Sequence, residues 1–164
     1  MSMRLTAAQH TRLPQAAATE RLPVVCLARH GQTAWTISHQ HTGVEGRTTA
    51  EIHAERPSWQ LFRDGCPGGE SPEEVATRAG RVIRRVQAIG GDVLLFSSGH
   101  FLRMFAARWL GLDSGVGRYF VLGTASLSEM GDERDRSEPV IWLWGEMHHE
   151  RRGDKQHARN RETT

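Results

Sequence analysis

The sequence predicts an α/β sandwich of three layers, built on a mainly parallel sheet. Two observations carry that prediction. Short apolar runs at 22–28 and 92–96 each break abruptly into a polar, glycine-containing turn. Between them lies a long stretch of helical periodicity, and strands that alternate with helices form parallel sheets. The size agrees, because 164 residues suit one domain with a real core.

Taken in order, residues 1–21 lack the continuous apolar run of a secretory signal and read as a flexible N-terminal extension. Leu22-Pro-Val-Val-Cys-Leu-Ala28 is apolar, β-branched and not alternating, as a strand buried on both faces should be. Residues 32–50 are rich in Thr, Ser, His and Gly and read as loop, with a short helix starting at Thr49 and stopped at Pro57. Residues 65–69 form a turn cluster. The strongest helix follows. Ser71 is its N-cap, Pro72 its first position, and Glu73 and Glu74 complement the dipole of its first turn. Val75, Ala79, Val82, Ile83 and Val86 then recur at helical spacing up to Gly90-Gly91. Asp92–Phe96 predicts a second buried strand, which breaks at Ser97-Ser98-Gly99-His100 and runs into a helix over 101–111. Tyr119–Leu122, Ala125–Met130 and Val140–Trp144 predict three more strands. Residues 147–164 have no apolar face and read as a disordered charged tail, which leaves 22–146 as the folded domain.

Composition removes several classes. Apolar residues are 38% and charged residues 24%, a globular balance. No stretch approaches the roughly 18 uncharged apolar residues of a membrane span. Net charge is only +2, and the 20 Arg against one Lys (Lys155) look like codon bias rather than a nucleic-acid footprint. The tail over 148–164 mixes five basic with three acidic residues, too evenly for a nucleic-acid arm. Cys26 and Cys66 give no disulfide framework and fit free thiols in a cytoplasmic protein. His39 with His41, and His148 with His149, lack the supporting ligands of a metal site, so no metal and no cofactor is expected.

The chemistry concentrates at two strand exits, 29–33 and 97–100. Ligands of open α/β sheets bind beyond the carboxyl ends of strands. Neighbouring strands would crowd Arg29, His30, Ser98 and His100 into one pocket, with the N-terminus of helix 101–111 facing it. A helix N-terminus beside an arginine suits an anion, most often phosphate. An imidazole there can attack phosphorus without a metal when arginine and amide donors hold the transferring oxygens.

The stretch ARHGQTAW (28–35) directly after a buried strand resembles the histidine phosphatase superfamily, also called phosphoglycerate mutase-like. The likeness continues through QHTG (40–43), EGRTTAEI (45–52), WQLFRDGCPGGES (59–71), DVLLFSSGHFLRMFAARWLGL (92–112) and TASLS (124–128). Within the superfamily the chain looks most like the sedoheptulose-bisphosphatase-type branch. The resemblance implies that His30 becomes phosphorylated and that Arg29 holds the phosphoryl group. It implies that Gln32, Thr33, Thr42 and Gly43 line the substrate phosphate, and that Gly99 offers its backbone N–H to it. The substrate so implied is a small phosphorylated metabolite.

Three departures accompany the matches. Where the family has a second catalytic histidine this chain has Ser98, with His100 two residues on. His41-Thr42-Gly43 runs through Val44 straight into Glu45-Gly46, where the family has several dozen residues. That segment carries the second phosphate-binding arginine and the general acid, and Glu45 resembles the glutamate just beyond that acid. His100 or Glu45 would have to substitute. One lost charge-stabilising donor typically costs about 3–4 kcal/mol in the transition state. A lost acid costs roughly 10²–10⁴-fold more, and such losses are not additive. Weak or absent turnover is therefore expected, and a binding module or relic is the alternative. The missing segment is also expected to leave strand 22–28 as an apolar edge open to homodimer formation.

Overall fold

The apolar run after Pro23 forms β1 (Val25–Arg29), and it lies inside the sheet. The computed structural model describes residues 22–34 and 47–147. After β1 come α1 (Thr49–Glu55), α2 (Leu61–Asp64), α3 (Pro72–Ile89), β2 (Val93–Ser97) and α4 (Gly99–Trp109). A 3-10 helix (Ser114–Tyr119), β3 (Leu127–Asp132) and β4 (Pro139–Glu146) complete the order. Residues 1–21, 35–46 (with Thr42, Gly43 and Glu45) and 148–164 lie outside the described residues.

The sheet runs β2-β1-β3-β4. β1 pairs with β2 in parallel, from Val25 opposite Val93 to Arg29 opposite Ser97, so both strands end level. β3 and β4 return as an antiparallel hairpin against β1. The α/β class stands, and its sheet is mixed, because the hairpin contributes two antiparallel pairings beside the one parallel pair.

Local chemistry explains α3. Ser71 Oγ accepts from the Glu74 N–H while Glu74 reaches back to the Ser71 N–H, a complete capping box. Gly90 closes the helix at φ 68°, a left-handed conformation that only glycine adopts cheaply. Its apolar stripe packs with α4 on one face of the sheet around Val25, Leu27, Leu102, Phe105 and Met130. Each of these side chains contributes roughly 1.5–3 kcal/mol by leaving water. Arg81, Arg84 and Arg85 lie on the opposite, wet side.

Two expectations need correction. Tyr119–Leu122 is not a strand: the 3-10 helix ends at Tyr119 and the chain continues as a loop. The reason is that the carbonyls of Val121 and Leu122 accept from Trp144 Nε1 and the Arg29 guanidinium, leaving no ladder for a partner strand. The apolar edge is also misplaced in the sequence reading. β1 is paired on both sides, and among the described residues the two edge strands are β2 and β4. Leu94 and Phe96 of β2 are 55% and 71% exposed. A smaller difference is that α4 starts at Gly99, two residues early, which brings the Ser98 turn into its cap.

Candidate active site

The level ends of β1 and β2 bring the two polar turns side by side. Ser97 accepts the His30 N–H at 3.2 Å, which ties the turn after β1 to the end of β2. From the other side, the Arg29 N–H donates to Ser126 (3.0 Å) and the Ala125 N–H to His30 (3.0 Å). Ala125 is held at φ 53°, the one non-glycine positive φ among the described residues. A cost of that kind, about 1–3 kcal/mol, is met only where the surroundings enforce it.

Arg29 is the anchor of this corner. Its guanidinium donates to the Leu122 carbonyl, while its Nε is buried with no hydrogen-bond partner. Among the described residues no carboxylate pairs with it, and burial pushes its pKa down. A buried cationic donor left unmatched is unfavourable until an anion meets it. Gly99 makes room for it: a Cβ at that position would sit 2.8 Å from Arg29 Nε and 2.9 Å from Cζ. Gly99 also opens α4, and the hydroxyl of its N-cap, Ser98, makes no capping hydrogen bond. The first amides of a helix so left are a ready anion cradle.

His30 is exposed at the rim, with Nδ1 2.8 Å from the Gly31 carbonyl. A carbonyl only accepts, so in the neutral imidazole this contact puts the proton on Nδ1 and the lone pair on Nε2. Gln32 and Thr33 follow on the exposed loop. His100 sits on the first turn of α4 with its ring 6.0 Å from that of Phe62, and Ser98 lies exposed beside it. The structure thus joins Arg29, His30 and Gly99 into one corner and puts His100 on its flank.

Sequence reasoning missed Arg103. It lies one turn after Gly99, on the same helix face, and that four-residue spacing was the available signal. Its guanidinium donates to the Gly117 and Arg118 carbonyls (3.1 and 2.7 Å) and stacks on the Phe62 ring at 4.5 Å. Burial, and then the charge of Arg29, pushes its pKa down. Two mutually repelling guanidiniums with no carboxylate partner among the described residues leave the corner positive.

A positive corner beyond the carboxyl ends of strands, beside a helix N-terminus, suits an anion. The profile of the histidine phosphatase superfamily (branch 1) matches residues 40–145, and the chain belongs to that family. Arg29-His30-Gly31 lies just upstream of the matched stretch. The chain is 37% identical over 104 residues to an acid phosphatase of Mycobacterium tuberculosis, covering 62% of this chain and 51% of that protein. It is 37% identical over 78 residues to the sedoheptulose 1,7-bisphosphatase of Saccharomyces cerevisiae, covering 42% of this chain and 28% of that enzyme. The chain therefore spans about half, or less, of these relatives. A solved Mycobacterium tuberculosis open-reading-frame product superposes with a TM-score of 0.73 at 24% identity, over 79% of this chain and 100% of that one. A mycobacterial glucosyl-3-phosphoglycerate phosphatase gives 0.64 at 17% identity, over 76% and 100%. These two superpositions establish the fold.

Proposed function

We propose that this chain binds the phosphate of a small phosphorylated metabolite at the Arg29–Gly99 corner and hydrolyses the monoester slowly through His30. The observation that carries the reading is the buried, unmatched Arg29 Nε beside the open first turn of α4. His30 Nε2 would attack phosphorus, forming the N–P bond as the ester P–O bond breaks. Arg29, Arg103 and the α4 amides would stabilise the transferring oxygens. A substitute acid would give the leaving oxygen its proton, and water would then release phosphate from His30. Thr42, Gly43, Gln32 and Thr33 are the further phosphate-lining residues in this reading, with His100 or Glu45 as substitute acid. No metal or cofactor is needed. Among the described residues no helix is long and apolar enough to cross a membrane, and a cytoplasmic protein without nucleic-acid partners goes with the reading.

A second reading, a pseudoenzyme that binds phosphate without turnover, is favoured by Ser98 at the place of the second histidine. The test is phosphate release from p-nitrophenyl phosphate by the wild type, His30→Ala and Ser98→His. Slow wild-type turnover that disappears in His30→Ala and rises at least tenfold in Ser98→His is expected, one charge-stabilising donor being worth roughly 10²–10³. Turnover unchanged in His30→Ala overturns the phosphohistidine route. An inert wild type that still binds phosphate selects the pseudoenzyme.

A further inference from the structure

Beside the anion corner, on the other side of the Ser98–His100 turn, lies a cavity of about 190 Å³. Phe62, Val75, Phe101 and Met104 supply apolar walls, and Ser98 and His100 also line it. Cys66, Glu70 and Arg78 are its polar side. Arg78 grips Glu70 with two hydrogen bonds, Nε to Oε1 at 2.9 Å and an Nη to Oε2 at 2.6 Å, and lies 4.4 Å over the Phe101 ring. That wall is therefore internally neutralised. A cavity of about 150 Å³ with apolar walls is enough to hold a benzene ring.

We infer that this cavity is the leaving-group subsite, and that it takes an uncharged, ring-sized apolar group rather than a second phosphate. The inference rests on the proposed phosphate corner, since only a phosphate held there would place a leaving group at the Ser98–His100 turn. A second phosphate would carry about −1.5 to −2 charges toward the Glu70 carboxylate. The one arginine on that wall is already matched by that carboxylate, and freeing it would break a bidentate pair. A ring would instead exchange water for the apolar walls of Phe62, Val75 and Met104. The preferred substrates would then be aryl or alicyclic monophosphates, with sugar bisphosphates disfavoured.

Binding tests this independently of turnover. The full chain is titrated calorimetrically with inorganic phosphate, methylphosphonate, phenylphosphonate and propane-1,3-bisphosphonate. Alkylation of Cys66 by iodoacetamide is followed by mass spectrometry, with Cys26 as internal control. Phenylphosphonate is expected to bind about tenfold tighter than methylphosphonate or better, as burial of a ring implies. It should slow alkylation of Cys66, and inorganic phosphate should not. Val75→Phe, which fills the cavity, should bring phenylphosphonate down to the methylphosphonate value. Phosphate binding with no phenyl advantage, with unshielded Cys66, or with the bisphosphonate tightest overturns the subsite and leaves the corner intact. No binding of any of the four overturns the phosphate corner, and the subsite falls with it.

Discussion

Gly99 shows how one missing side chain conditions the site. Alanine there would put its Cβ within 2.9 Å of the Arg29 guanidinium, which is held from the far side by Leu122. The guanidinium would have to leave its pocket, so Gly99→Ala is expected to weaken phosphate binding at least tenfold. Calorimetry with inorganic phosphate checks it, and an unchanged affinity would place the anion elsewhere. Asp64 offers a second prediction. The Arg63 guanidinium and the Gln60 backbone N–H hold its carboxyl down to about 2, from an ordinary 3.8. A depressed carboxylate stabilises the fold above the unfolded value and loses that contribution as pH falls through the folded one. The window thus runs from about 4 down to about 2, well below any working pH. An NMR titration of the Asp64 carboxyl should show its midpoint near the lower end, and Arg63→Ala should move it upward. Neither arrangement was legible in the sequence, because each depends on how a turn presents side chains and backbone groups to one another.

At the scale of elements, legibility followed local chemistry. α3 was readable nearly to the residue because cap, first turn, apolar stripe and terminal glycine agree with one another. Ser71→Ala removes one arm of its capping box and is expected to cost about 1 kcal/mol in chemical denaturation. A loss near zero would mean that tertiary packing alone holds the end of the helix. The Tyr119–Leu122 stretch reads as a strand for the opposite reason. Its apolar, aromatic composition is that of a sheet, yet Gly117 and Gly123 flank it and its carbonyls serve Arg29 and Trp144. Composition reports what wants burial, and it is blind to which backbone groups a distant side chain will claim. The meeting of Arg29, His30 and Gly99 was legible because the two turns end adjacent strands. Arg103 was not, since a polar residue within a helix also reads as solvated surface.

For the whole molecule, the decisive point is which strand stands at the edge. The sequence alone suggests β1, whereas pairing with both β2 and β3 encloses it and leaves β2 and β4 as the two edges, of which β4 carries Pro139, Glu146 and a bulged register. β2 reads Val-Leu-Leu-Phe-Ser, with no charge, proline or bulge of the kind that natural edges use against further pairing. A second copy is the partner that fits. An antiparallel β2–β2 contact centred on Leu95 is two-fold symmetric and sets Leu94 of each chain opposite Phe96 of the other. Each such cross-strand apolar pair contributes roughly 0.2–1 kcal/mol beyond the backbone bonds, and both side chains would leave water. Concentration-dependent dimerisation in sedimentation velocity is therefore expected for the wild type. Phe96→Lys, which sets a charge against Leu94 of the other copy, should shift the distribution to monomer. A wild type that sediments as a monomer at every concentration would overturn the β2–β2 contact.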